Sequence, residues 1–104
     1  MAKTDNSSKR GTSMRQRTRL DEPRQYKVVL HNDDITTMDF VVDVLVRVFG
    51  KEYIDAVTLM MAVHKEGSAV VGVYTYDAAM SRMQRATSLA RSAGFPLRIT
   101  CEPE

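Results

Sequence analysis

The side chains most able to do chemistry in this 104-residue chain are a polar cluster, Asn32-Asp33-Asp34, two histidines, His31 and His64, and one thiol, Cys101. Two adjacent carboxylates can bind a metal, serve as acid and base, or fold the chain into a turn. The turn is the ordinary outcome, because Asn and Asp side chains bond backbone amides two or three residues further on. A metal would need more ligands, and only His31 and His64 are at hand; His31 precedes the turn, so one strand would have to wrap its own residues around the ion.

His64 lies among Met60, Met61, Ala62 and Val63, where the plain expectation is a partly buried histidine with a satisfied hydrogen bond. Catalysis would require a nucleophile and an oriented base. Cys101 sits in an apolar context with no neighbour that would activate it. No Gly-rich phosphate loop, nucleophile elbow or metalloprotease motif occurs. These absences point away from an enzyme and from any cofactor. Met38, Met60 and Met61 suit binding better, since methionine not only fills cores but also lines pockets that admit several apolar shapes. Polar acceptors, a histidine and methionines together would suit a ligand with a cationic head and a large apolar side chain.

These residues must be positioned by the elements around them. Tyr26-Lys27-Val28-Val29-Leu30 is short and β-branched and runs into the Asn-Asp-Asp cluster, which predicts a strand and a loop. Thr36 and Asp39 have the spacing of a capping box, and Met38, Val41, Val42, Leu45, Val46 and Phe49 recur at helical period until Gly50. A second helix is expected over residues 52–66, ended by Gly67, and a second strand over residues 68–74. Thr75 can cap a third helix, with Asp77 in its first turn and Arg91 in its last and Ala78, Ala79, Met83, Ala86, Leu89 and Ala90 as small contacts. Gly94 ends it, and residues 97–101 make a third strand. The order is β-α-α-β-α-β, an α+β fold, for which a three-stranded sheet with helices on one face is the simplest solution.

The apolar fraction of 43% and charged fraction of 27% are those of an ordinary globular domain. A lone cysteine excludes an internal disulfide and a cysteine-built zinc site. No apolar run is long enough to cross a bilayer, and the first twenty residues lack the apolar stretch of a signal peptide, so a cytoplasmic location is expected. The net charge of +2 is unevenly spread. Lys3, Lys9, Arg10, Arg15, Arg17, Arg19 and Arg24 stand near the N-terminus against only Asp5, Asp21 and Glu22, while acids outnumber bases in the remainder. Residues 1–24 hold almost no large apolar side chains and are expected to form a disordered basic extension, with Pro23 near the boundary and the domain over residues 25–104. Without an aromatic residue for base stacking, this arm reads as a solubilising tail rather than a nucleic-acid binder.

Taken together, Tyr26-Lys27-Val28-Val29-Leu30-His31-Asn32-Asp33-Asp34, Thr36, Met38-Asp39-Phe40-Val41-Val42-Asp43-Val44-Leu45, Leu59-Met60-Met61-Ala62-Val63-His64, Gly67, Gly72-Val73-Tyr74-Thr75 and Pro96-Leu97 closely resemble the ClpS adaptor family. The likeness spans residues 25–102. It implies a monomeric adaptor without cofactor that binds proteins whose first residue is Leu, Phe, Tyr or Trp, the bacterial N-degrons. The resemblance further implies delivery of these proteins to a ClpA-type (in some lineages ClpC-type) AAA+ unfoldase that feeds the ClpP peptidase. It also implies three antiparallel strands with three helices on one side, like the C-terminal domain of the ribosomal stalk protein.

The resemblance assigns roles as well. Asn32, Asp33 and His64 match the residues that hold the substrate's α-amino group, and Asp34 and Thr36 the pocket entrance. Met38, Val41, Met60, Val63 and Leu97 match the apolar lining, with Met38 gating side-chain shape. Asp77 and Arg82 match a Glu and a Lys that contact the chaperone in many members, and Ile35 lies near that chaperone-facing side. Two residues depart from the family pattern: Ile35 stands for a common Tyr and Thr37 for a common Pro. Two other readings compete: a ribosome- or nucleic-acid-associated module that uses the basic tail, and a small hydrolase built on Cys101 or on Asp33 and Asp34.

Overall fold

A computed structural model describes residues 24–104 of the chain. The extension expected over residues 1–24 therefore falls, up to residue 23, outside the described residues. The elements are β1 (Gln25–His31), α1 (Met38–Arg47), α2 (Tyr53–Glu66), β2 (Ser68–Thr75), α3 (Tyr76–Ser92) and β3 (Arg98–Pro103). This is the order expected from the sequence.

The three strands form one antiparallel sheet with β1 at its centre, in the order β2-β1-β3. Period-two alternation sends Val28 and Leu30 of β1 to the helix side, where both are fully buried, and leaves Lys27 and His31 on the other face. On that open face His31 Nε2 and Thr100 Oγ1 share a hydrogen bond of 2.9 Å. Proline is acceptable at Pro103 because β3 is an edge strand, where a missing N–H breaks no inner ladder.

A single core joins Val28, Leu30, Val71 and Ile99 of the sheet to Val44 and Leu45 of α1, Ala56 of α2, and Ala79, Ala86 and Ala90 of α3. These three alanines of α3 are fully buried, and their small size lets the helix lie close across all three strands. α2 packs against both α1 and β2. The pairing of β1 with β2 shifts between Val28 and Val29, so Val28 faces Gly72 and Val29 faces Val70. A Cβ at Gly72 would stand 2.8 Å from the Tyr74 hydroxyl, so a larger residue here would displace the Tyr74 ring. The Tyr74 ring in turn carries the Arg82 guanidinium 4.9 Å from its centroid.

One cap differs from the expectation. Thr37, not Thr36, is the N-cap of α1, its hydroxyl accepting from the Phe40 amide at 3.2 Å. Thr36 is unavailable because its amide and hydroxyl are both engaged by Asp33. A proline at position 37 would have no hydroxyl to offer. Thr75 does cap α3 by backbone conformation, though its side chain makes no capping bond.

Candidate functional site

The loop between β1 and α1 is folded around one carboxylate. Asp33 Oδ1 accepts from the amides of Ile35 (2.8 Å) and Thr36 (2.7 Å), and Oδ2 accepts from the Thr36 hydroxyl (2.7 Å). The turn expected from the Asn-Asp-Asp cluster is therefore present, and Asp33 is its organiser. Burial pushes the Asp33 pKa upward. The bonds from Thr36 and Ile35, with the positive charge of Arg91, outweigh burial and hold it below the ordinary 3.8.

The loop is tied to the far side of the site by backbone. The Asn32 amide donates to the Gly67 carbonyl at 2.9 Å, directly beyond the strand pair His31 and Ser68. Gly67 terminates α2 with φ +93°, a conformation that glycine alone adopts without strain, and its own amide returns to Val63. This turn sets His64, in the last turn of α2, beside the Asn32–Asp33 loop. His64 is exposed rather than half-buried, so it faces the mouth of the site instead of filling core.

Between these parts lies a cavity of about 390 Å³. Asn32, Asp33, Asp34, Thr36 and His64 supply its polar lining, and Met38, Val41, Met60 and Val63 its apolar lining. Val41 and Val63 are buried and rigid, whereas Met38 is 44% exposed and free to adjust. Two strongly polar acceptors and an imidazole thus stand over a small apolar cup, an arrangement complementary to a donor-only ammonium attached to an apolar side chain. Ile35 and Thr37 complete the rim.

Leu97 is not part of this cavity. It is 1% exposed and packed in the core beneath it, and its carbonyl accepts from Arg91 Nη1 at 2.8 Å. Nor does the structure bring the three expected chaperone contacts together. Ile35, 63% exposed, adjoins Arg91, Gly94, Phe95 and Pro96 at the C-terminal end of α3, while Asp77 occupies its first turn. At 1.5 Å per residue these ends are roughly 20 Å apart. Arg82, between them, lies over Tyr74 with its Nε buried and unpaired.

One residue of the site is not marked as such by the sequence. Arg91, expected only to complement the α3 dipole, donates to the carbonyls of Phe95 (3.0 Å) and Leu97 (2.8 Å) and lends its charge to Asp33. Phe95 packs against Phe40 of α1 with ring centroids 5.0 Å apart, so Arg91 and Phe40 together prop the loop after α3. An arginine in a last helical turn followed by Gly-Phe-Pro-Leu is the only trace of this in sequence. Among the described residues, no group of three His, Cys, Asp or Glu side chains stands together to hold a metal ion. No described helix is long and apolar enough to cross a membrane.

The family model described as ATP-dependent Clp protease adaptor protein ClpS matches residues 21–100. The ClpS of Acetivibrio thermocellus is 47% identical over 95 residues, covering 89% of this chain and 96% of that protein. The ClpS of Desulforapulum autotrophicum is 42% identical over 104 residues, the full length of both chains. The solved structure of Agrobacterium tumefaciens ClpS2 bound to L-phenylalaninamide superposes with a TM-score of 0.78 at 46% identity, covering 80% of this chain and 100% of that one. The chain belongs to the ClpS family, whose members are adaptors of the Clp protease rather than enzymes.

Proposed function

We propose that this protein is an N-degron adaptor: it captures proteins whose first residue is Leu, Phe, Tyr or Trp and hands them to a ClpA-type or ClpC-type unfoldase for degradation by ClpP. The observation that carries the reading is the cavity in which Asn32, Asp33 and His64 stand over Met38, Val41, Met60 and Val63. The related Agrobacterium ClpS2 binds L-phenylalaninamide, a ligand with a free α-amino group and a benzyl side chain.

In this reading Asn32, Asp33 and His64 accept from the substrate's ammonium, each bond to the charged group being worth on the order of 1.5–3 kcal/mol. Burying a Leu or Phe side chain against the apolar cup adds roughly 1.5–3 kcal/mol. Neither contribution survives association costs alone, so the site selects for both ends of the first residue at once. Asp34 and Thr36 shape the entrance, and Met38 sets which side chains fit. Ile35 and Asp77, both exposed, and Arg82 contact the unfoldase along α3. The adaptor works as a cytoplasmic monomer.

Fluorescence anisotropy with a labelled peptide that begins with Leu or Phe tests the reading. Binding should be lost when the same peptide is N-acetylated, because the ammonium is gone. Equal affinity for the acetylated peptide would refute it.

A further inference from the structure

Of the seven methionines in the chain, Met38, Met60, Met61, Met80 and Met83 fall in the described residues. Two are exposed to nearly the same degree, Met38 at 44% and Met61 at 41%. They differ in what they face. Met38, the first residue of α1, lines the cavity beside Thr36 and Val41, whereas Met61 is no part of that lining. Met60 lines the cavity but is half-buried, as are Met80 and Met83 on α3. The one thiol, Cys101, stands on β3 opposite Val28, outside the cavity lining.

We propose that Met38 is an oxidation site through which hydroperoxides switch the adaptor off. Conversion of its thioether to the sulfoxide makes the apolar wall of the cavity polar and weakens capture of the substrate's first side chain. The inference rests on the reading of this cavity as the N-degron site.

The chemistry balances with hydrogen peroxide as the oxidant. The thioether sulfur attacks one peroxide oxygen, the O–O bond breaks as the S–O bond forms, and the other oxygen takes up the proton and leaves as water. Sulfur is oxidised and the peroxide reduced. The oxidant must reach the sulfur, which favours Met38 and Met61 over the half-buried methionines. Their products then have different consequences. A sulfoxide at Met61 stays in water. A sulfoxide at Met38 is covered by the ligand's apolar side chain, and a covered acceptor is costly unless a donor meets it. The nearby donors are spent: the Thr36 amide and hydroxyl go to Asp33, and the Phe40 amide goes to Thr37. Val41 and Val63 on the same wall have no polar side-chain atom to offer.

The experiment treats the full chain with hydrogen peroxide, maps sulfoxides residue by residue by peptide mass spectrometry, and follows anisotropy of a labelled Leu-initiated peptide. Affinity should fall roughly tenfold in step with sulfoxide at Met38, comparable to losing most of the gain from one buried aliphatic side chain. Methionine sulfoxide reductases for both epimers should restore it. Saturating peptide present during treatment should protect Met38 and leave Met61 reactive. Measured against its own untreated baseline, Met38→Leu should keep its affinity after peroxide, while Met61→Leu should lose as much as the parent chain. The proposal is overturned if Met38 sulfoxide forms without loss of affinity, or if Met38 stays reduced while Met61 is oxidised. It is also overturned if Met38→Leu remains as sensitive as the parent, which would move the effect to another side chain. A urea unfolding midpoint that drops in step with affinity would make the effect one of stability and overturn it equally. Failure of the untreated chain to bind the Leu-initiated peptide marks the separate failure of the N-degron reading, and the inference falls with it.

Discussion

The mouth and the cup of the cavity are built on opposite physical plans. The mouth is a loop with almost no apolar packing, held by directional bonds: three onto the Asp33 carboxylate and one from the Asn32 amide to Gly67. The cup has no internal hydrogen bonds to keep. Two rigid valines, Val41 and Val63, define its base, and two methionines close it. A charged head group needs acceptors at fixed positions, since a misplaced acceptor loses its bond outright. A set of differently shaped apolar side chains needs a wall that yields. In the proposed function, the contrast assigns strictness about the ammonium and tolerance about the side chain to separate parts of one site.

The largest break in this comparison should come from Asp33→Ala. It removes an acceptor for the ammonium and the three bonds that shape the loop, so affinity for a Leu-initiated peptide should fall roughly a hundredfold, corresponding to about 3 kcal/mol. Anisotropy would measure it, and Asp33→Asn, which keeps an oxygen for the two amides, should lose less. His64→Ala should cost less again, roughly five- to tenfold, since the imidazole is solvent-exposed and its bond is weakened by competition with water. Met38→Ala should change average affinity only a few-fold while altering the order of preference among Leu, Phe, Tyr and Trp in a peptide array. An unchanged order would remove Met38 from any role in shape selection.

Acid sharpens the same comparison. Because the Asp33 pKa is lowered on folding, its contribution to stability is fully present above the ordinary value of 3.8 and disappears as pH falls through the lower folded value. The mouth should therefore stay intact through mildly acidic pH and loosen only below about pH 4, seen as faster exchange of the Ile35 and Thr36 amides. Asp33→Asn should abolish that dependence. The smallest effect belongs to Thr37→Ala, which removes the α1 cap at a cost of about 1 kcal/mol in urea unfolding and leaves peptide affinity nearly unchanged.

Most of the fold is legible in the sequence because period and punctuation agree. Helical spacing from Met38 onward ends at Gly50, and Gly67 and Gly94, both with positive φ, stand where the pattern predicts chain breaks. The turn at Asp33 is legible for the same local reason. Other features depend on contacts that spacing does not encode. Thr36 and Thr37 are equally good caps by type, and only the capture of Thr36 by Asp33 decides between them. The exposure of His64 depends on where the turn after α2 meets β1. Leu97 carries a pocket role by resemblance, yet its side chain is taken up by the core. Arg91 works through carbonyls in a loop of irregular backbone, for which no residue pattern exists.

The bond from Asn32 to Gly67 has a bearing on when the site comes into being. It joins chain positions on either side of two whole helices, and it sits at the end of the β1–β2 ladder rather than inside it. Long-range pairing of this kind is among the slower events of folding. In the proposed function, a copy in which this bond has not closed lacks the ammonium acceptors opposite the methionine helices. Such a copy could be sticky toward apolar chains, but it could not distinguish a free N-terminus from any other exposed leucine. In the proposed function, discrimination depends on the closing of β1 against β2.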